Sequence, residues 1–426
     1  MQNEVEALHQ KENEDNETIT NRVETVVTQA GNNNEEEQKT QDEQSEKQQE
    51  AQSNQNEEQQ ETQSNHNEEQ LETQNEKQQE IHNEKQKQTS ITIAHMSDIH
   101  VWKDPPQDSV ISSRWRDYKR YHGYLQLSLF RGPQCFSIDM LQASLKDVLA
   151  RNAHHLIVSG DLTNISMPFE FEFARNLLQD HFLNEKLQVA SVNHWKQETW
   201  KVLTVVPGNH DTYVPDAIEQ DYFGRYFADA FEHTVKIDNF AARFPSVKHL
   251  PHSDVLVIGI NTGTANSLVS SAGTVDQTQL SEAVTKITTI LEQQKRKLDS
   301  FFKILVMHHP PIARFSIGLI DAIGCLADGD RARVSLFCDL VGVDMVLYGH
   351  THHPLVSYLG NKYQTLAVDV GSSTLVTTKE NKGRYNEYKI IGNKLHSITS
   401  RIWNLDSKKF DTINVPIPPK PNNPQQ

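Results

Sequence analysis

The chain has 426 residues and a formal net charge of −16, and the two properties belong to different parts of it. Residues 1–90 hold 23 acidic and 7 basic side chains, which leaves 34 of each in 91–426, so the part able to fold is neutral by count. That balance argues against general nucleic-acid binding, which needs a basic excess on the domain itself, and no run reaches the ~20 apolar residues of a spanning helix.

From residue 1 to about 89 the chain is almost entirely Glu, Gln, Asn, Lys, Thr and Ser, without an aromatic residue. Such a composition cannot bury enough apolar surface to offset chain entropy, so a disordered acidic tail is expected. Residues 56–77 repeat loosely every eleven positions, but Leu71 is their single apolar residue and no helical seam can form. The acidic start lacks the basic and apolar regions of a secretory signal. Cys135, Cys325 and Cys338 are odd in number and show no CxxC spacing, which fits a reducing compartment and a cytoplasmic protein.

Order is expected from about residue 90. Residues 91–96 read as a first strand, ending at Ser97-Asp98-Ile99-His100. An Asp and a His two apart on an extended backbone face the same side. The stretch 102–140 is basic, aromatic and apolar by turns, with Arg114, Trp115, Arg116, Tyr118, Lys119, Arg120, Tyr121 and Tyr124 leading into Leu125, Leu127, Leu129, Phe130 and Arg131. Residues 114–131 are compatible with a lid, a substrate-contacting arm, a peripheral membrane contact, or a helix packed on the core. Residues 138–150 carry their apolar side chains on one helical face. Residues 155–159 form a second buried strand, ending at Gly160-Asp161-Leu162-Thr163-Asn164, with Asn164 read as a cap before a helix over 169–178.

The apolar run 202–206 stops abruptly at Pro207-Gly208 and is followed by Asn209-His210-Asp211. Residues 213–244 are aromatic-rich and irregular, and 255–260 form a fourth strand. An amphipathic helix is expected over 276–298, with Leu280, Val284, Ile287 and Leu291 as its stripe, Asp276 and Gln279 as a capping box, and Lys295, Arg296 and Lys297 at its C-terminal end. Strand 302–307 leads to His308-His309-Pro310-Pro311. After a helix over 331–340, strand 344–348 leads to Gly349-His350-Thr351-His352-His353. Residues 363–370 and shorter runs to about Trp403 read as antiparallel strands, and 406–426 as a C-terminal tail, frayed from about Val415.

Five strand ends therefore carry D-x-H at 98–100, G-D at 160–161, G-N-H-D at 208–211, H-H-P-P at 308–311 and G-H-T-H at 349–352. Their donors are oxygen and imidazole without thiolate, which suits Mn, Fe, Zn or Co better than Ca alone or a Cys-based structural zinc site. Donors converging on one sheet edge are enough for two divalent ions about 3.5–4 Å apart, which polarise a phosphoryl oxygen and acidify water.

This order of motifs resembles the calcineurin-like metallophosphoesterase superfamily over roughly residues 90–400. The resemblance implies an α/β fold, a four-layer α/β/β/α sandwich of two mixed sheets over 90–405. It implies hydrolysis of a phosphodiester or pyrophosphate bond by a metal-bridging hydroxide. On the same ground Asp98, His100 and His352 would bind the first ion, Asp161 would bridge, and Asn209, His308 and His350 would bind the second. His210 would contact the scissile phosphate and protonate the leaving oxygen, with Asp211 orienting its imidazole. His309 is read as a structural or substrate contact, and His95, His154, His155 and His353 as non-ligands.

A narrower likeness lies in KRYHGYLQ at 119–126, GDLTNISMPFEFEFAR at 160–175, VVPGNHDTYV at 205–214 and LVMHHPP at 305–311. These segments are similar to a bacterial branch that includes the chlamydial-type UDP-2,3-diacylglucosamine pyrophosphatase, which implies an acylated UDP-sugar as substrate. Cyclic-nucleotide phosphodiesterases carry the same five motifs. A phosphoprotein phosphatase is a third reading. An inert scaffold recruiting partners through the acidic tail is a reading from another class.

Overall fold

The computed structural model describes residues 89–102, 117–127, 135–187, 195–231, 243–267, 270–313, 324–359, 365–376 and 382–420. The expected acidic tail lies outside the described residues, as do Arg114, Trp115, Arg116 and 128–131 of the arm.

Strands β1 (Ser90–Met96), β2 (His155–Val158) and β3 (Leu203–Val205) run parallel and side by side. Strands β4 (Ser246–His249), β5 (Val255–Gly259), β6 (Phe302–Val306), β7 (Met345–Tyr348), β8 (Leu355–Leu359) and β9 (Thr365–Asp369) make a second sheet in the order β4-β5-β6-β7-β9-β8. The antiparallel run β10 (Arg384–Ile391), β11 (Lys394–Asn404) and β12 (Lys409–Val415) completes the first sheet as β12-β11-β10-β1-β2-β3.

Alternation along the second sheet shows how the layers stack. Val255, Val257, Ile304, Val306, Met345 and Leu347 join a core shared with Ile93, Leu156, Val158 and Val205 of the first sheet. Their neighbours Leu256, Ile258, Leu305, Val346 and Tyr348 turn to the other side. There they meet Leu280, Val284, Ile287 and Leu291 of α4 (Gln277–Gln294) and Val334, Phe337 and Val341 of α5 (Asp328–Val341). Leu141, Leu145 and Val148 of α2 (Ile138–Ala150), with Phe171, Ala174 and Leu178 of α3 (Pro168–Leu178), cover the first sheet. Each fully buried aliphatic side chain contributes roughly 1.5–3 kcal/mol. The result is the expected α/β/β/α sandwich of two mixed sheets.

Four local expectations are corrected. Strand β9 is antiparallel to β8 as expected but parallel to β7, because the chain passes first to the sheet edge as β8 and returns between the two. The tail expected from residue 406 begins instead with a strand, since β12 pairs with β11 from Asn404↔Lys409 to Ile398↔Val415. Asp276 caps α4 through Thr278 N at 3.0 Å, but Gln279 closes no box. Its side chain accepts from Asn261 N at 2.6 Å and donates to Asn261 O at 3.0 Å, pinning the end of β5. Helix α4 ends in a left-handed Lys295, so Arg296 leaves its axis and pairs with Asp254 at 2.8 Å.

Candidate metal centre

Sheet pairing brings the motif-bearing strand ends onto one rim. Loop-to-loop bonds continue the β1–β2 register past the strands, from Asp98 N to Gly160 O (3.0 Å), His100 N to Asp161 O (2.9 Å) and Val101 N to Leu162 O (2.9 Å). In the second sheet Gly349 N donates to His308 O at 3.1 Å. The expected same-side alternation of Asp98 and His100 is not how they converge, because β1 stops at Met96. Left-handed backbone aims these side chains instead, with φ of 51° at Asp98, 37° at His100, 51° at Asp161, 73° at His350 and 57° at His352. Non-glycine residues rarely adopt that region, at a cost of roughly 1–3 kcal/mol each. Gly160, at φ 102°, also lets His308 approach, since a Cβ there would stand 2.6 Å from its Nδ1. A Cβ on Gly208 would collide with Asp161.

The predicted ligands meet. Ligand-type atoms of Asp98, His100 and His352 lie within 4.8 Å of one another, as do those of His100, Asp161 and His210, and of Asp161, His308 and His350. His352 Nε2 is 3.2 Å from Asp98 Oδ1. His100 Nε2 is 3.5 Å from Asp161 Oδ2, and His308 Nε2 is 3.3 Å from the same oxygen. Asn209 Oδ1 stands 3.2 Å from His308 Nε2 and 3.0 Å from His350 Nδ1.

Backbone carbonyls orient the imidazoles. His100 Nδ1 donates to Thr163 O at 3.2 Å and His308 Nδ1 to Ser159 O at 2.8 Å, so each turns Nε2 toward the centre. His350 is held the other way, with Nε2 on Gly324 O and Nδ1 inward. A carbonyl only accepts, so the inward nitrogen can keep its lone pair for a cation. Burial lowers His100 to about 3 against the pull of Asp161, leaving it neutral. At His308 burial is outweighed by Asp161 and Asp98, which raise it to about 9. Burial would also raise Asp98, yet His352 and His308 hold it below the usual carboxylate range. Asp161 behaves likewise beside His308, His210 and His100. Paired carboxylates and inward imidazoles of this kind fit divalent cations, whose binding displaces protons from the same atoms.

The residues assigned to catalysis divide. His210 N donates to Asp161 Oδ1 at 2.8 Å, and its ring stands edge-on to His100 with centroids 4.8 Å apart. Asp211 does not orient that ring. Its carboxylate accepts from Gly208 N (2.9 Å), Leu162 N (3.1 Å), Thr163 N (2.9 Å) and Thr163 Oγ1 (3.0 Å), tying the second and third motif loops together. Burial and the charge of Asp161 push Asp211 up to about 7. The His210 Nδ1 partner is the carbonyl of Asn164. Asn164 in turn is no helix cap, since its Nδ2 donates to His100 O (3.1 Å) and Val101 O (2.8 Å). His309 is structural, held by Thr262 Oγ1 at 2.7 Å and Ser271 O at 2.9 Å. His95, His154 and His155 also bond within the fold.

The model of the calcineurin-like phosphoesterase family matches residues 91–354. The chain belongs to the calcineurin-like phosphoesterase family. Its clustered Asp and His side chains are of the types that could hold metal ions. Among solved structures it is similar to purple acid phosphatase from yellow lupin (Lupinus luteus) seeds, at 11% identity and TM-score 0.44 over 77% of this chain and 54% of that one. The chain thus spans about half of the lupin enzyme. A predicted phosphoesterase from Streptococcus pneumoniae matches at 11% identity and TM-score 0.27, over 76% of this chain and 98% of that one. Vacuolar Protein Sorting 29 from Cryptosporidium parvum matches at 9% identity and TM-score 0.31, over 77% and 97%. No curated protein matches the chain.

Two features of this family member escaped sequence reasoning. The segment after β9 clamps the first motif, with Ser372 Oγ donating to Asp98 O (2.8 Å), Thr374 Oγ1 to Ile99 O (3.0 Å) and Ser373 N to Ser97 O (2.9 Å). The available signal was a run of small hydroxyl residues, Ser372-Ser373-Thr374, at one more parallel strand end. Phe136, bridged to Leu375, places its ring 4.5 Å from His100 and 5.9 Å from His352.

The described part of the arm is the helix α1 (Tyr118–Gln126), and its cations turn inward. Arg120 is fully buried and donates to Ile165 O (3.1 Å), Ser166 O (2.9 Å) and Asp216 (2.7 Å). Lys119 Nζ donates to Tyr213 O (2.7 Å) and Asn266 O (3.0 Å), and burial lowers it to about 8. No helix among the described residues is long and apolar enough to cross a membrane.

Proposed function

We propose that the phosphoesterase hydrolyses a phosphodiester or pyrophosphate bond using two divalent ions gathered by five strand ends. One observation carries this reading: a single oxygen of Asp161 stands 3.5 Å from His100 Nε2 and 3.3 Å from His308 Nε2, between two donor groups. Asp98, His100 and His352 suit one ion, Asn209, His308 and His350 the other, and Asp161 both. Mn, Fe, Zn or Co match these donors. Bound there, the ions supply Lewis acidity and an acidified water at neutral pH. His210, with its Nδ1–H on the Asn164 carbonyl, has Nε2 left to face the phosphate and, as the imidazolium, to donate to the leaving oxygen. Asp211 acts by holding the Asp161 and His210 loops in register. The free thiols of Cys135, Cys325 and Cys338 fit a cytoplasmic setting.

For the substrate we favour an acylated UDP-sugar over a 3′,5′-cyclic nucleotide. The supports are the four segments of sequence likeness and the outward Tyr118 and Tyr121 of α1, 70% and 51% exposed. Mn-loaded full-length protein should hydrolyse bis-p-nitrophenyl phosphate, and Asp161→Asn should reduce that by at least about 1,000-fold. Turnover that survives Asp161→Asn, or that appears with no divalent metal, removes the hydrolase reading. Equal or faster turnover of cyclic AMP than of a UDP-diacylated sugar removes the substrate reading.

A further inference from the structure

The residue behind the His210 ring is Tyr213, and the structure joins it to α1. The Tyr213 and His210 rings are stacked, with centroids 5.5 Å apart and planes 15° from parallel. Lys119 Nζ stands 4.1 Å from the Tyr213 ring centroid and donates to the carbonyl of the same residue at 2.7 Å. A second bond from Lys119, to Asn266 O at 3.0 Å, fastens this pair to the loop after β5. On the helix, a Cβ at Gly123 would stand 2.9 Å from Tyr213 Oη, so the phenol lies directly against α1. Arg120 holds α1 to Ile165 and Ser166, next to the Asn164 carbonyl that takes His210 Nδ1.

We propose that Tyr213, backed by Lys119, is a positioning residue for His210, so that α1 acts on the chemistry from behind the imidazole. The proposal rests on the hydrolytic role given to His210 above. Physically, Asn164 fixes one ring atom and His100 meets the ring edge-on, which leaves rotation about the Nδ1 contact to be stopped by a flat surface. The Tyr213 face supplies that surface. A Phe ring would do the same, whereas Leu would let the imidazole tilt. Misplacement of a catalytic group by a fraction of an ångström acts on kcat and spares ground-state binding.

The test uses full-length protein with Mn and two aryl phosphodiesters, one with a p-nitrophenol and one with a phenol leaving group. Tyr213→Leu should lower kcat by about 10- to 100-fold, with KM and the Mn concentration for half-activation within twofold. The loss should be larger on the phenol ester, whose leaving oxygen needs the proton more. Tyr213→Phe should restore kcat to near wild type, and Lys119→Met should fall between the two. In metal-free protein labelled at histidine, Tyr213→Leu should broaden or shift the His210 ring nitrogens while Tyr213→Phe leaves them in place. Equal losses for Phe and Leu, equal losses on both esters, or a loss that follows weakened Mn binding would overturn the proposal. If Tyr213→Leu does not fold, Lys119→Met and Tyr213→Phe decide by the same leaving-group comparison. A parallel His210→Ala separates the two ideas: an inactive wild type sinks the hydrolase reading, while an active wild type unaffected by His210→Ala sinks the positioning proposal alone.

Discussion

The rim of the candidate metal centre and the β10–β11–β12 ladder belong to the same molecule but are built on opposite terms. In the ladder, backbone pairing is regular from Arg384↔Ile402 to Ile398↔Val415 apart from one irregularity at Lys389/Ile390, and β12 leaves Ile413 50% exposed. At the rim, residues proposed as ligands take five of the eleven positive-φ positions among described non-glycine residues. Asp98, His100, Asp161 and His308 are there all but inaccessible to solvent. The ladder is a minimum of local energy, whereas the rim is held away from one by bonds made elsewhere. Ser372, Thr374, Asn164, Asp211, Glu170 and Arg120 make those bonds, and none of them is placed as a ligand.

That contrast can be broken most forcefully at Arg120. Arg120→Met leaves the carbonyls of Ile165 and Ser166 without their buried donor and should cost about 3–5 kcal/mol in urea unfolding. KM on a small diester should stay within twofold. A raised KM at unchanged stability would mean that the guanidinium faces substrate after all.

A smaller effect is expected from Ser372→Ala combined with Thr374→Val. Two hydroxyls then leave the Asp98–Ile99 carbonyls, at a cost of about 1–3 kcal/mol. Metal affinity should fall about 10- to 100-fold because ligand orientation is lost. A Mn titration of activity and a denaturation curve report the two separately, and unchanged Mn affinity would confine the clamp to a folding role.

Glu170 sharpens the comparison through pH. Its carboxylate accepts from Asn164 N (3.1 Å), Ile165 N (3.2 Å) and Met167 N (2.9 Å), while burial pushes its pKa up to about 7 from an ordinary 4.5. Between those values the folded state holds the proton more tightly than the unfolded chain. The folded state is therefore favoured most below about 4.5 and loses that advantage as pH rises to about 7. Subtracting the curve of metal-free Glu170→Gln from that of metal-free wild type should leave a difference that declines across this window. A flat difference would show that the group titrates normally.

The least effect belongs to the ladder. Ile413→Thr, on a half-exposed edge strand, should change stability by no more than about 0.5 kcal/mol and leave turnover alone. A larger loss would mean that β12 supports the rim through the sheet.

The clustering of the proposed ligands was legible because each sits within a few residues of a buried strand, where an apolar run followed by Gly, Asp or His is a local pattern. The α2 helix and strands β1, β5, β6 and β7 were read within a residue or two for the same reason. What misled were inferences that paired a polar side chain with its neighbour in sequence. Asp211 next to His210 looks like its partner, and Gln279 three residues after Asp276 looks like half a capping box. In each case a backbone group far away in sequence is the stronger attraction: Thr163 N for the carboxylate, Asn261 N for the amide.

By itself, then, the amino-acid sequence determined which residue types stand at which strand ends and in what order, because hydrophobic runs and turn residues act over short distances. Only the tertiary structure decided the order of the strands within each of the two sheets, that β9 returns parallel beside β7, and that the motif loops turn left-handed. It also decided that Arg120 and Lys119 point inward to brace the loops. Those outcomes depend on unpaired backbone groups finding partners dozens to hundreds of residues away, and a carbonyl offers the same acceptor whatever side chain it carries.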